Sequence, residues 1–446
     1  MKQKKYIPYI FAIICTLVYL SLVFNNNVWL DEAFSASIIR CDFGEMISRT
    51  FADTLPPFYN FSAWLFTHIF GFSTVTLKIF SVIPMLLLML VSARFLPEVS
   101  SVQTACIYIV LMTAMPHLLE HGVEIRMYSW AVFFASATAV FAVCVIKELP
   151  HTKPWLILVT VLGAYTHQYA LIAEAFVWLM LLVIFLWKKN VTGWLKMALI
   201  CIVLYIPCAI LTVRQMKAAT TYFSASPATF DSLMASIRYP FVTNITVLSA
   251  ILMISTVSLF VYACIRKEFI SAYYISIYVL AAILSFCLMW ITDSTFFTSR
   301  YLMPSIGILW LGLALALDEV FSESRILKAA AVLIVSAVLI LVYIRQFQAE
   351  YVDMSAFEDF ISTTGADDGY VIYEDFPEIE ICLGYYAPWL KKYEPEDISS
   401  ARGSKYLFIN GDSDTDNTKK IKNFDLRYIE NLSFDRYTFK AYELTE

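Results

Sequence analysis

Three carboxylates fall close together in the first polar interval of an otherwise apolar chain: Asp31 and Glu32, side by side, and Asp53. The interval, Asn25 to Phe61, reads NNNVWLDEAFSASIIRCDFGEMISRTFADTLPPFYNF. An ionised carboxylate beside an acceptor hydroxyl is a general base, and a second acid next to it can tune its pKa or hold a cation. The plain alternative is that Asp31 and Glu32 open a helix and complement its dipole, while Asp53 caps a loop before Pro56-Pro57. A denser cluster follows, His117-Leu-Leu-Glu120-His121-Gly-Val-Glu124-Ile-Arg126-Met-Tyr128. On a helix His117 and His121 share a face, with Glu120 or Glu124 near, a spacing that can bind zinc. Gly122, at the boundary of two apolar runs, argues against a rigid helix there. The guanidinium forks of Arg126 and Arg300 match phosphate oxygens. Their alternatives are an ion pair with Glu124 for the first and snorkelling to the interface for the second. His167, in Tyr165-Thr-His-Gln-Tyr169, is read either as a hydrogen-bonded interfacial residue or as a ligand.

What must position these residues is a set of membrane helices. The 446 residues are 59% hydrophobic and 15% charged, with mean hydropathy +0.67; soluble domains carry about a quarter charged residues. Repeated apolar runs of about 18–22 residues can each cross a hydrocarbon core roughly 30 Å thick. Eleven spans are expected, near 6–24, 74–95, 102–119, 127–146, 155–170, 171–187, 194–213, 241–264, 270–291, 301–317 and 327–345. Lys2, Lys4 and Lys5 precede the first, which is long for a signal-peptide core and is read as uncleaved. Alternate loops carry Arg94, Lys147 with Lys153, Lys188 with Lys189, Arg266 with Lys267, and Arg325 with Lys328. The positive-inside rule then places these loops and the N-terminus inside, and the loop 25–73 and the chain's tail outside. Ser35–Ile47 and Pro57–Phe70 are expected to lie along the interface. In this topology Asp31, Glu32, Asp53, His117, Glu120, His121, Glu124, Arg126, His167, Asp293 and Arg300 arrive at one outer face from five segments. Ionisable groups at such depth are costly unless paired or facing a wet cavity.

The charge divides the chain at about residue 350. Residues 1–350 hold 22 of the 32 Lys and Arg but 17 of the 37 Asp and Glu. Residues 351–446 are therefore acidic, lack a spanning run, and are expected to form a small soluble extracytoplasmic α/β domain. A capping box at Ser355–Glu358 should open a helix. Strands are expected at 369–373, 405–409, 426–429 and 437–442, with a helix at 379–386. The nine Cys lie mostly inside apolar runs without CxxC spacing; Cys41 and Cys382 both fall in segments expected outside, which leaves a disulfide between them open but unsupported. The sequence has no P-loop, GxGxxG, GxSxG or CxxCH and no nucleic-acid-binding motif.

Asp31-Glu32 after a first span, followed by Asp53-x-x-Pro56-Pro57-x-Tyr59, resembles the membrane glycosyltransferases of the GT-C class. The likeness is closest to the protein mannosyltransferase and aminoarabinose transferase superfamily. Glu124-x-Arg126-x-Tyr128, Tyr165-Thr-His167 and Arg300-Tyr-Leu-x-Pro304 continue it in order, over roughly residues 6–320. The resemblance implies a GT-C-like membrane domain and inverting transfer of a sugar from a polyprenyl-phosphate donor to an extracytoplasmic acceptor on a glycan, lipid or protein. It implies Asp31 as base, with Glu32 and Asp53 positioning acceptor, donor or cation. Arg126, Arg300 and Tyr128 would hold the donor phosphate, and Glu124, His117, His121 and His167 would meet substrate or a metal. It leaves open whether a divalent cation takes part, and which of Asp31 and Asp53 is the base. The location implied is the cell membrane, with the site outside and membrane lipids as surroundings.

Two other readings differ in what they require. A flippase for a lipid-linked glycan should show charge at the bilayer midplane and inverted repeats; within the spans Glu174 is the main acidic exception. An acyl- or phosphoethanolamine-type transferase wants a nucleophilic hydroxyl or an evident zinc set, for which the His117–Glu124 cluster is the candidate.

Overall fold

The apolar runs become helices in the computed structural model, which describes residues 5–222, 229–292, 298–373, 377–410, 424–435 and 437–445. Lys2, Lys4 and Asp293 lie outside the described residues. The helices are α1 (Ile7–Leu20), α2 (Leu30–Arg40), α3 (Phe43–Ala52), α4 (Phe58–Phe70), α5 (Thr74–Val99), α6 (Val102–Ala114), α7 (Leu118–Val123), α8 (Tyr128–Ile146), α9 (Thr152–Ala164) and α10 (Gln168–Trp187). They continue as α11 (Val191–Tyr222), α12 (Phe230–Arg238), α13 (Thr246–Arg266), α14 (Phe269–Thr292), α15 (Met303–Glu323) and α16 (Arg325–Glu350). Each of the eleven expected spans falls on one of these. Among the described residues eight helices are long and apolar enough to cross a membrane, while α1, α6 and α9 are shorter. A helix of 13 residues, such as α6, rises about 20 Å at 1.5 Å per residue. The expected span 102–119 is therefore a broken one. Pro116 cannot continue α6, His117 takes φ 66°, and the chain resumes as α7.

Helix α8 is the centre of the bundle. Its most apolar stretch is 94% buried, against 6% for the peripheral α16. Alanines and serines on α8 admit close neighbours, and so does Gly312 on α15. A Cβ at Gly312 would meet the backbone of α14 at 2.8 Å, so the two helices touch main chain to main chain. Tyr274 of α14 donates its hydroxyl to the Ala139 carbonyl at 2.8 Å, which joins α14 to α8. With α8 and α15 packed together, their N-termini lie at the same end as the turn that carries Arg126 and the short turn Ser299–Leu302.

Gly122 makes α7 possible rather than weakening it. Its missing side chain lets α7 lie on Tyr19 of α1, where a Cβ would stand 2.2 Å from the ring. The Tyr19 hydroxyl faces the Met112 carbonyl at 2.6 Å and that of Leu118 at 3.3 Å, spanning the break between α6 and α7. We expect Gly122→Ala to cost about 1–3 kcal/mol by overpacking, read as a lower midpoint of thermal unfolding in detergent. An unchanged midpoint would show that α7 is not seated on Tyr19.

The tail forms α17 (Ser355–Thr363), α18 (Pro377–Tyr386) and a five-stranded sheet. Its strands are β1 (Gly369–Tyr373), β2 (Lys391–Lys392), β3 (Lys405–Asn410), β4 (Asp425–Phe434) and β5 (Tyr437–Thr445), in the order β2-β1-β3-β5-β4. The β1 pairings are parallel, and β5 runs antiparallel to β3 and β4. The expected capping box does not form. Ser355 is already helical, and the Asp353 carboxylate accepts its N–H at 3.0 Å instead. Glu358 turns to the first loop, where Asn26 donates to it at 3.3 Å. Helix α18 packs on α2 and holds both of its ends. The Tyr386 hydroxyl accepts the Val28 N–H at 2.8 Å, and Arg40 donates to the Tyr385 carbonyl at 2.9 Å. A buried ion pair of Lys78 with Glu350 joins α5 to the end of α16, with Asn25 accepting from the same ammonium at 2.7 Å. Cys41 and Cys382 are both free thiols.

Candidate functional site

Trp29 holds an extended backbone and starts α2, so Asp31 and Glu32 fall in the first turn and point in different directions. Glu32 turns inward and is 4% exposed. One of its oxygens accepts the Trp29 N–H at 3.1 Å and the other the Ile125 N–H at 2.8 Å. It thus ties the start of α2 to the turn before α8. Burial pushes its carboxyl up to about 8, with Lys78 opposing the shift. The folded protein therefore holds a proton that the unfolded chain releases near pH 4.5. Stability from this group is greatest at low pH and falls as pH rises from about 4.5 to 8. We expect Glu32→Gln to flatten the decline of thermal stability between pH 5 and 8. The same decline in wild type and variant would contradict this.

Asp31 faces the other way. Its carboxylate meets Nη2 of Arg300 at 2.7 Å, with side chains 21% and 28% exposed. The Arg300 guanidinium lies over the Trp29 ring, 5.2 Å from its centre, as cations favour aromatic faces. Arg126 is buried beside them. Its Nη1 donates to Ser35 Oγ at 2.9 Å and to the Asp31 carbonyl at 3.4 Å, while its Nε is buried with no hydrogen-bond partner among the described residues. Burial works against both charges, yet both guanidiniums are held above their ordinary values. Asp31 leads for Arg126, and Tyr128 followed by Asp31 for Arg300. Asp53 caps the end of α3 and accepts the Thr54 N–H at 2.6 Å. Burial raises its carboxyl, against the Thr54 N–H and the positive charge of Arg126. Asp31, Asp53, Arg126 and Arg300 thus form one electrostatic cluster with two charges of each sign.

Aromatic rings close one side. Tyr128 opens α8, and its buried hydroxyl lacks a hydrogen-bond partner among the described residues. Its ring lies 5.8 Å from His167, which lies 5.8 Å from Tyr301. His167 caps α10, its Nδ1 accepting the Tyr169 N–H at 3.1 Å, and its Nε2 is buried with no hydrogen-bond partner among the described residues.

His117, Glu120, His121 and Glu124 stand behind Trp29. Trp29 Nε1 donates to Glu124 Oε1 at 3.1 Å, and Glu124 Oε2 lies 2.5 Å from His121 Nδ1. His121 Nε2 is 2.9 Å from the Tyr239 hydroxyl, and the His117 ring stacks on Tyr239 at 3.9 Å. Glu124 and Arg126, offered by the sequence as an ion pair, turn to different partners. A cavity of about 320 Å³ opens on this side, lined by Trp29, Glu32, Glu120, Glu124, Arg345, Glu350 and Asp435 among others. Asp31 and the two arginines are not in its wall.

Several participants were not singled out from sequence. Lys78 had a signal, as a lone charge inside an apolar run. Trp29, Ser35 and Tyr239 had none, because their roles depend on which distant segments meet them.

Neither a protein-family model nor a curated protein matches the sequence. Among solved structures, the ArnT of Cupriavidus metallidurans bound to undecaprenyl phosphate superposes with a TM-score of 0.62 at 12% identity, covering 97% of both chains. Its apo form gives 0.61 over the same shares. The Archaeoglobus fulgidus oligosaccharyltransferase tethered to an acceptor peptide gives 0.53 at 13% identity, over 91% of this chain and 69% of that one. The chain therefore has the polytopic GT-C fold with a small C-terminal sheet domain.

Proposed function

We propose that this chain, built on the fold shared by ArnT and the archaeal oligosaccharyltransferase, transfers a sugar from a polyprenyl-phosphate donor to an acceptor hydroxyl outside the cell membrane. The observation that carries the reading is the ion pair of Asp31 with Arg300, with buried Arg126 alongside. Both arginines stand before the N-termini of α8 and α15. Helix N-termini and guanidinium forks together suit a phosphate leaving group. Asp31 takes the proton of the acceptor hydroxyl, whose oxygen attacks the anomeric carbon. The bond from that carbon to the phosphate oxygen breaks, and its electron pair leaves with the lipid phosphate. Attack opposite the leaving group inverts the centre. Arg126 and Arg300 stabilise the charge that develops on the phosphate, and Asp53 positions the acceptor or donor. Glu32, with both oxygens occupied by backbone N–H groups, holds α2 in place. A lipid-borne donor fits an outward-facing site, where nucleotide sugars are absent. The ArnT neighbour with undecaprenyl phosphate supports that class of donor. A divalent cation, where one is bound, would be held by His117, Glu120 and His121, apart from the contact of Asp31 with Arg300.

The flippase reading is less well supported by the charges. Lys78 and Glu350 neutralise one another at helix ends beside the site, and Glu174 adjoins a mainly apolar cavity of about 350 Å³. Comparison of envelope glycans from cells with and without the chain tests the transferase. We expect one sugar substituent to disappear; an unchanged glycan profile would contradict the proposal.

A further inference from the structure

We infer that His117, Glu120 and His121 form a transition-metal site of the zinc type, separate from the contact of Asp31 with Arg300. One ligand atom from each lies within 4.8 Å of the other two. Glu120 and His121 stand on α7, and the left-handed turn at His117, just before it, brings the third side chain to them. His121 is oriented as a metal-bound imidazole is. Its Nδ1 is held by buried Glu124 at 2.5 Å, leaving Nε2, now 2.9 Å from the Tyr239 hydroxyl, as the ligating nitrogen. Glu124 is fixed in turn by Trp29. A second observation points to the same ligand: His117 Nε2 is buried and has no hydrogen-bond partner among the described residues. A buried polar atom without a partner is costly, and a Lewis acid removes that cost.

Two imidazoles and a carboxylate suit zinc and its neighbours, whereas calcium and magnesium take oxygen ligands. Bonds of about 2.0–2.1 Å in a tetrahedron require ligand atoms roughly 3.3 Å apart. Glu120, whose carboxylate already stands 3.2 Å from His117 Nδ1, has a side chain 45% exposed that can turn toward an ion. Glu120 also borders the acidic cavity, which gives an ion its way in. Three protein ligands leave a fourth position open beside Tyr239. A bound ion would fix His121, Glu124 and Trp29 in series, and Trp29 is the surface on which Arg300 lies. Its role is to position the arginine.

The test counts ions without any sugar substrate, so its outcome is independent of the transferase reading. The full chain in detergent is stripped with a chelator, dialysed against micromolar zinc alone, and assayed for metal per chain. We expect one ion in the wild type, its loss in His117→Ala and in His121→Gln, and a weakening of about 10–100-fold in Glu124→Gln. Zinc should raise the unfolding midpoint of the wild type and leave that of His117→Ala unmoved. A wild type that retains no zinc, or a folded His117→Ala that binds as the wild type does, would overturn the site and reduce the cluster to hydrogen-bonded pairs.

Discussion

Asp31→Asn should lower sugar transfer by about 10²–10⁴-fold, the range that a positioned general base contributes, while the protein still accumulates in the membrane. Asparagine keeps the shape of the side chain and one acceptor for Arg300, so α2 and its packing against α18 survive. On the proposed mechanism, what is lost is the ability to take the acceptor's proton, together with the charge opposite the guanidinium. The substitution also separates the two candidate bases. Asp53 already spends one oxygen on its own helix end, at 2.6 Å from the Thr54 N–H, so Asp53→Asn should cost less than Asp31→Asn. Single-turnover release of polyprenyl phosphate measures both. An Asp31→Asn protein within tenfold of wild type, or a larger loss in Asp53→Asn, would remove Asp31 from the role of base.

The second large effect is expected at Arg126. Replacing it with Met removes a buried cation aimed at the site, and loss of one stabilising donor costs about 10²–10³-fold. Arg126→Lys should fall between wild type and Arg126→Met, because a lysine keeps the charge and loses the two-point fork. The loss should carry a pH signature as well. Burial raises the Asp53 carboxyl and Arg126 opposes that rise. Without Arg126 the carboxyl rises further and ionises later. Because Asp53 positions the acceptor or donor as a carboxylate, the acidic limb of the rate profile should move to higher pH in Arg126→Met and stay near its wild-type position in Arg126→Lys. A profile that does not move would show that Arg126 does not sense the carboxylates of the site.

Much of this could be read in the sequence, for reasons that particular residues make plain. Long apolar runs fix their own helices, because a spanning segment must satisfy its backbone internally; hence each of the eleven expected runs carries a helix, though 102–119 is broken at Pro116 and His117. The convergence of Asp31, Asp53, Arg126 and Arg300 followed from loop sidedness alone. Finer assignments depended on contacts between distant segments. Glu32 looked like a partner of Asp31, but Ile125, 93 positions along the chain, turns it into a tie between two elements. Gly122 looked like a weakness in α7 because the residue that needs its small size, Tyr19, belongs to another helix. The Ser355 box failed locally, since Asp353 competes for the same N–H. The short strand β2 escaped notice because two lysines carry no alternation to recognise.

In the proposed reaction these side chains cleave the bond between sugar and lipid phosphate. Purified protein in vesicles, given a polyprenyl-phosphate-linked sugar labelled in the sugar and an acceptor extract, tests it directly. Free polyprenyl phosphate is expected to appear in step with labelled acceptor, with the anomeric configuration inverted. Labelled lipid that reaches the other leaflet intact, with no polyprenyl phosphate released, would contradict it.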